Sequence, residues 1–270
     1  MPSRWWVPIP GLDPHFVRLE HLHAAVTRWF DSSAGEHHAN GKPYAVSPLR
    51  PGDAGGVGVE IGILTDHAHH CFSKATAPGS SIRLGSQTRP LGRPQLMHND
   101  TWAELGAVSN VREWELEFVT PTTFRAGDRA SPLPHLPTIL TGLAQSWQLW
   151  ADDDTPGPDA GSVARAAWVS DLDLRSEVLR LPIPSRDGGQ VRMVTVSGCV
   201  GSLTIRISDP NLLTAAASLV RLAAYTGIGS MTRRGLGQVR VRAGRRVSGG
   251  STHGLANALP TTDGADGATG

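Results

Sequence analysis

Four glycines, Gly227, Gly229, Gly235 and Gly237, enclose Arg233 and Arg234 near the C-terminal end of this chain, in the run GIGSMTRRGLG. Leu212 to Tyr225 before the run is amphipathic, and Gln238 to Arg242 after it alternates. The spacing predicts a helix, a glycine loop and a strand in that order. Glycine permits positive φ and lets backbone amides come close to a ligand. Arginine holds a phosphate with two parallel hydrogen bonds. The loop therefore points to an anionic ligand; the competing reading is a tight turn between two core elements. Two established glycine-loop patterns are excluded. The dinucleotide fingerprint has a strand before the loop and a helix after it, the reverse of this order. The phosphate loop of nucleotide hydrolases ends in Gly-Lys-Ser/Thr, which is absent.

A chain of 270 residues fits one large domain or two small ones, and 39% hydrophobic residues suffice for a core. The net charge of +1 announces no polyanion partner, although only Lys42 and Lys74 of the 25 basic residues are lysine. A GC-rich genome is the preferred account of that bias. Cys71 and Cys199 are too few for a disulfide framework or a thiolate metal site. The N-terminal MPSRWWVPIPG has prolines where a signal peptide needs an apolar run. No apolar stretch reaches the roughly 18 residues needed to span a bilayer. A cytoplasmic protein with no membrane partner is expected.

Arg4 to Pro10 is a poor strand pattern that Pro8 demotes to an edge or irregular strand. Asp13-Pro14 opens a helix over His15 to Phe30, with apolar residues at Phe16, Leu19, Leu22, Val26, Trp29 and Phe30. A polar loop from Asp31 to Gly41 follows, holding Glu36, His37 and His38. Val57 to Leu64 is a strand, His67 to Ala75 a short helix and Ile82 to Leu84 a strand. Gly85 to Ser109 reads as irregular, with Trp102 and Leu105 as buried anchors. In the second half, Glu113 to Val119 puts Trp114, Leu116 and Phe118 on one face and three glutamates on the other. Leu136 to Leu149 is a helix. Trp168 to Leu181 gives one or two strands, and Val191 to Ile207 two strands around Gly198 and Gly201. The tail from Val247 to Gly270 has almost no aliphatic residues and is expected to be disordered. The second half thus reads β-α-β-β-α-β, the ferredoxin-like split βαβ order, and the first half approximates it. The predicted class is α+β, two ferredoxin-like (RRM-like) domains in tandem, residues 1–109 and 110–246, followed by a tail over 247–270.

Four stretches together resemble the CRISPR-associated endoribonucleases of the RAMP superfamily that cut precursor CRISPR RNA within its repeats. They are Lys42-Pro-Tyr-Ala-Val-Ser-Pro-Leu49, Phe118-Val-Thr-Pro-Thr-Thr-Phe-Arg125, Ser197-Gly-Cys-Val-Gly-Ser-Leu203 and the glycine loop. They fall in the family's order and span Lys42 to Val241. The resemblance implies a reaction without metal or other cofactor. The RNA's own 2′-hydroxyl attacks the adjacent phosphorus, leaving a 2′,3′-cyclic phosphate and a 5′-hydroxyl. Such chemistry needs a base, an acid and a cation, roles suited to histidine and to lysine or arginine. The family's catalytic histidine lies in the loop after the first helix. His38 is favoured, His37 is close behind it, and Lys42 matches a lysine used beside the histidine. Tyr44 is a distant third candidate, better read as packed under the loop. RNA-binding residues implied are Gly227, Gly229, Ser230, Arg233, Arg234, Gly235, Gly237 and Arg125. The partner implied is CRISPR repeat RNA, with effector-complex subunits and a homodimer allowed. The alternative is an inactive RAMP subunit that binds guide RNA. His21 and His23, two apart on a helix, face different sides. His67-Ala-His-His70 with Cys71 superficially resembles a metal cluster, but contiguous residues rarely converge on one ion, and no metal is expected.

Overall fold

A computed structural model describes residues 1–31, 41–52, 55–127, 129–152, 154–184 and 191–244. The N-terminal unit comprises β1 (Ser3–Pro8), α1 (Leu19–Phe30), β2 (Tyr44–Val46), β3 (Val57–Ile63), α2 (Asp66–Ala75) and β4 (Gln95–Asn99). Its antiparallel sheet has the order β2-β3-β1-β4. The C-terminal unit comprises β5 (Glu113–Thr122), α3 (Leu136–Trp150), β6 (Ala167–Pro184), β7 (Val191–Ile207), α4 (Leu213–Thr226) and β8 (Val239–Ala243). Its sheet has the order β6-β7-β5-β8, again antiparallel. Both units follow β-α-β-β-α-β, and in both the third and first strands form the centre. The fold is a tandem of ferredoxin-like domains.

Alternation in β5 decides the C-terminal core. Trp114, Leu116 and Phe118 are each at most 2% exposed and pack with Leu140, Leu143, Leu219 and Val220 of α3 and α4. Burying each such side chain contributes about 1.5–3 kcal/mol. The other face of β5 carries Glu113, Glu115 and Glu117, which pair with Arg206, Arg240 and Arg242. A charge ladder thus occupies the open face of the sheet, where an RNA-recognition module carries stacking aromatics.

Three expectations are corrected. β1 is a central strand, paired with β3 on one side and β4 on the other. Pro8 is tolerated because it is the strand's last residue, and its carbonyl accepts from Gly92 N at 2.8 Å. Second, Gly85 to Ser109 is not irregular: Gln87–Pro90 pairs with the preceding Ser81–Leu84 in a short hairpin, and β4 follows. Every residue of β4 is exposed, so it carries no alternation to read. Third, Val191 to Ile207 is one strand. Its glycines produce a register shift against β5 between Cys199 and Gly201 and not a break. β7 pairs with β5 only over Cys199–Arg206, so the distal β6–β7 ribbon continues beyond the sheet. There Leu181 and Val196 pack on Leu236 and Met231 of the glycine loop and on Leu19 of α1. The tail, 245–270, and the predicted turn over 185–190 lie outside the described residues.

A buried polar clamp joins the two units. Glu60 on β3, 3% exposed, ion-pairs with Arg4 of β1 and with Arg50. Gln238, just before β8, donates to Glu60 Oε2 at 2.6 Å, and Arg4 Nη1 donates to the Ala224 carbonyl of α4 at 2.6 Å. Gly62 allows this approach, since a Cβ there would overlap the Tyr225 carbonyl oxygen.

Candidate functional site

α4 ends at Gly227, whose amide donates to Ala223 O at 2.9 Å with φ at +68°. The loop then folds back on itself. Ile228 N donates to Gly237 O at 2.8 Å, Gly237 N to Pro121 O at 3.2 Å, and Ser230 N to Thr123 O at 2.8 Å. Gly237 has φ +70°, and a Cβ on it would overlap the Ile228 carbonyl oxygen, so only glycine closes this turn. Several of the glycines therefore serve close backbone packing before any ligand binding. The amides of Gly229, Met231 and Gly235 make no hydrogen bond among the described residues. Met231 is itself left-handed, with φ +66°, a conformation costly for a side chain and concentrated at functional sites.

Arg233 and Arg234 follow Met231 in a short 3-10 turn. Both are partly buried, and neither makes an ion pair or side-chain hydrogen bond among the described residues. Burial lowers the Arg234 guanidinium below its ordinary pKa, and the charge of Arg233 beside it adds to that. Arg125, after the Phe124 turn, is exposed and likewise has no partner among the described residues. On β8 the opposite holds. Arg242 Nη2 lies 2.9 Å from Glu117 Oε2, and Arg240 Nη1 lies 3.7 Å from Glu117 Oε1. Among the described residues the fold thus pairs the strand arginines with glutamates and brings no carboxylate to the loop arginines.

The N-terminal unit reaches the same place through α1. His23 Nδ1 is 3.0 Å from the Arg233 carbonyl oxygen and 3.3 Å from Thr27 Oγ1. Its position on the loop-facing side of α1 is what distinguishes it from His21, which caps the start of the helix by accepting from Arg18 N at 3.3 Å. Helical periodicity separates the two faces but does not say which one meets the loop. Tyr44 is 3% exposed and stacks on Phe30 with ring centroids 4.1 Å apart. It is packed, and burial raises its phenol above the usual value.

His37 and His38 lie outside the described residues. The residues flanking them are ordered by an ion pair: Lys42 Nζ is 2.6 Å from Asp31 Oδ1, with the two side chains 5% and 6% exposed. Gly41 lies against the end of α3, where a Cβ on it would be 3.0 Å from Leu149 Cδ1. Earlier turns of the same helix, with Arg125 and the glycine loop, line a cavity of about 480 Å³. The cavity thus lies between α3 and the glycine loop, and Gly41, at one end of the histidine segment, lies against the C-terminal end of the same helix. The α2 histidines are elsewhere. The His69 ring lies 5.5 Å from Trp5, and His67 Nε2 is 3.7 Å from Cys71 Sγ. Among the described residues no group of three potential metal ligands converges.

Residues 116–239, from β5 to the start of β8 and including the glycine loop, match the model of the family described as CRISPR-associated endoribonuclease Cas6. Over that region the chain is similar to the Cas6 endoribonucleases. No curated protein matches it. Among solved structures, Thermus thermophilus Cas6 is 22% identical, with 90% of this chain and 98% of that one covered at a TM-score of 0.63. A Cas6 described as a product complex is 19% identical, covering 90% of this chain and all of that one at a TM-score of 0.69. A second Cas6 product complex is 21% identical, covering 88% of this chain and 98% of that one at 0.68. At these identities the likeness shows the two-domain fold alone.

Proposed function

We propose that this chain is a metal-independent endoribonuclease that cuts precursor CRISPR RNA within its repeats. The 2′-hydroxyl attacks the adjacent phosphorus, and the products carry a 2′,3′-cyclic phosphate and a 5′-hydroxyl. The observation that carries the reading is the cation pair Arg233–Arg234, without an acidic partner among the described residues and with Arg125 nearby, in a loop within the part of the chain that matches the Cas6 family model. Two adjacent guanidiniums, partly withdrawn from water with no acidic partner among the described residues, oppose folding unless an external anion uses them. His38, or His37, supplies proton transfer to and from the reacting oxygens. Lys42, held by Asp31, acts as a positioning residue at the base of the histidine segment. Arg233 and Arg234 hold the RNA backbone and offset charge developing on phosphorus.

Labelled repeat RNA incubated with the protein in EDTA tests this. Cleavage at one site that is lost in His38→Ala or His37→Ala supports the enzyme. A deoxy sugar 5′ of the cut must block the reaction; cleavage of that substrate would sink the 2′-hydroxyl mechanism. Tight binding without cleavage would leave the second reading, an inactive RAMP subunit that holds guide RNA.

A further inference from the structure

The cavity between α3 and the glycine loop is unlike the basic surface beside it. Besides Arg125, its polar lining includes Thr141 and Gln145 of α3 and Ser230 and Thr232 of the loop, and no carboxylate contributes. The side chains of these five residues make no hydrogen bond among the described residues. The other hydroxyls that line it are already used: Thr138 bonds His135 at 2.8 Å, Ser146 bonds Gly142 O at 3.2 Å, and Thr226 bonds Gly227 O at 2.8 Å. Apolar walls come from Pro137, Ile139, Leu143 and Ile228. The volume, about 480 Å³, lies within the usual range for small-molecule sites, about 300–1,000 Å³.

Gly142 is the second observation. It stands in the middle of α3, where glycine is less favourable than alanine because it loses more backbone freedom on folding. Its φ is not positive, and a Cβ built on it meets nothing within 4 Å, so the backbone does not require glycine there. The missing side chain faces the cavity and keeps it open.

We propose that this cavity receives one unstacked base of the RNA. The base lies between the apolar walls, Gln145, Thr141, Ser230 and Thr232 read its polar edge, and Arg125 holds the attached phosphate. A neutral donor and acceptor lining suits a nucleobase, whose edges present both kinds of group, and sequence-specific RNA recognition commonly splays single bases into such pockets. The adjacent Arg233 and Arg234 track the backbone on either side. This deepens the endoribonuclease reading and rests on it.

The test fills the cavity without disturbing the fold. Gly142→Leu places a side chain where nothing now stands, and Gly142→Ala serves as the stability control. The probe is the CRISPR repeat RNA encoded nearest to the gene, made with an abasic nucleotide at each position in turn and measured for binding and single-turnover cleavage. In the wild type one abasic position is expected to weaken binding or cleavage about tenfold, the scale of one or two lost hydrogen bonds. In Gly142→Leu the intact RNA is expected to fall by a similar factor, and that abasic position to become silent; Gln145→Ala should reduce the same penalty. If Gly142→Leu melts no lower than wild type yet keeps every abasic penalty, the pocket proposal is wrong while the enzyme reading stands. Melting of Gly142→Leu well below Gly142→Ala would contradict the open space at residue 142 and with it the pocket. If wild-type protein neither binds nor cuts the intact repeat, the function itself fails and the pocket with it.

Discussion

Replacing the loop arginines and the strand arginines separately distinguishes the site proposed from a merely basic surface. Arg125, Arg233 and Arg234 have no acidic partner among the described residues, so each can neutralise a phosphate on binding. Arg240 and Arg242 are held by Glu115 and Glu117 at 2.9–3.7 Å, so much of their charge is already compensated. Each phosphate neutralised on single-stranded RNA contributes about −0.7 to the slope of log Kobs against log salt. Arg125→Ala, Arg233→Ala and Arg234→Ala together should therefore flatten that slope by roughly 2. A charge-assisted hydrogen bond contributes about 1.5–3 kcal/mol, so each single variant should weaken binding roughly 10- to 150-fold at fixed salt. Arg240→Ala with Arg242→Ala should leave the slope nearly unchanged. The assay is a repeat-RNA binding titration at several salt concentrations, read by filter retention or anisotropy. Equal slope changes in the two sets, or the larger change in the β8 set, would refute the assignment of the loop as the phosphate contact.

The seam and the thiols give three further expectations. Glu60→Gln leaves the buried guanidinium of Arg4, held by burial at about 10, without its counter-charge. The expected loss is about 3–5 kcal/mol, seen in thermal melts as a fall of roughly 6–20 °C for a chain of this size; a fall below about 3 °C would mean the clamp is solvated. Although His98 keeps much of its surface in solvent, its ring lies 5.0 Å from Tyr225, and that partial withdrawal from water first, with the charge of Arg4 second, holds its imidazole below the ordinary value of 6.5. The folded state therefore keeps His98 neutral while the unfolded chain takes up the proton, so stability is lost as pH falls through 6.5. His98→Asn should shrink the difference in melting temperature between pH 7.5 and 5.5, on the order of one titrating group, and an unchanged difference would remove His98 from the account. Burial pushes the Cys199 thiol up to about 11, whereas Cys71 is partly exposed. Thiol titration of the native protein near pH 8, about three units below the Cys199 value, should count one fast cysteine, and unfolding should release the second.

The sequence was most informative where one face of an element is buried. β5 is read directly from Trp114, Leu116 and Phe118 alternating with three glutamates, and α3, α4 and the body of α1 from helical spacing, whereas Asp13-Pro14 opens only a 3-10 turn at Pro14–Phe16 and α1 begins at Leu19. It was silent where burial does not alternate. All five residues of β4 are exposed, so the strand that completes the N-terminal sheet carries no pattern. In β1 the proline argues against a central strand by its presence alone, and only its place as the strand's last residue makes it compatible with one. The Arg4–Glu60–Gln238 clamp joins residues 56 and 178 positions apart, beyond the reach of any local pattern. Gly142 carries no signal in the sequence, and only the empty space at its Cβ position makes it informative.

The glycine loop shows most clearly how the two kinds of information divide. Its spacing alone says that the chain turns sharply beside two arginines. It cannot say whether those arginines differ from Arg240 and Arg242, a few residues later. The difference comes from β5, which brings Glu115 and Glu117 beside β8 across more than a hundred residues and brings no carboxylate to Arg233 or Arg234 among the described residues. The glycines also change role. Gly237 and Gly227 make the loop close on itself, and Gly229 lets it meet the Thr123 carbonyl oxygen, where a Cβ would stand 2.5 Å away. A loop closed in this way has fewer amides to offer a phosphate than its composition suggests, but it holds Met231 left-handed and fixes the carbonyl of Arg233 against His23. The anion-binding capacity thus rests on the guanidiniums more than on the backbone. That is why substitution of the arginines, and not of the glycines, tests function: Gly237→Ala would strain the loop and lower RNA binding even if no amide touched phosphate.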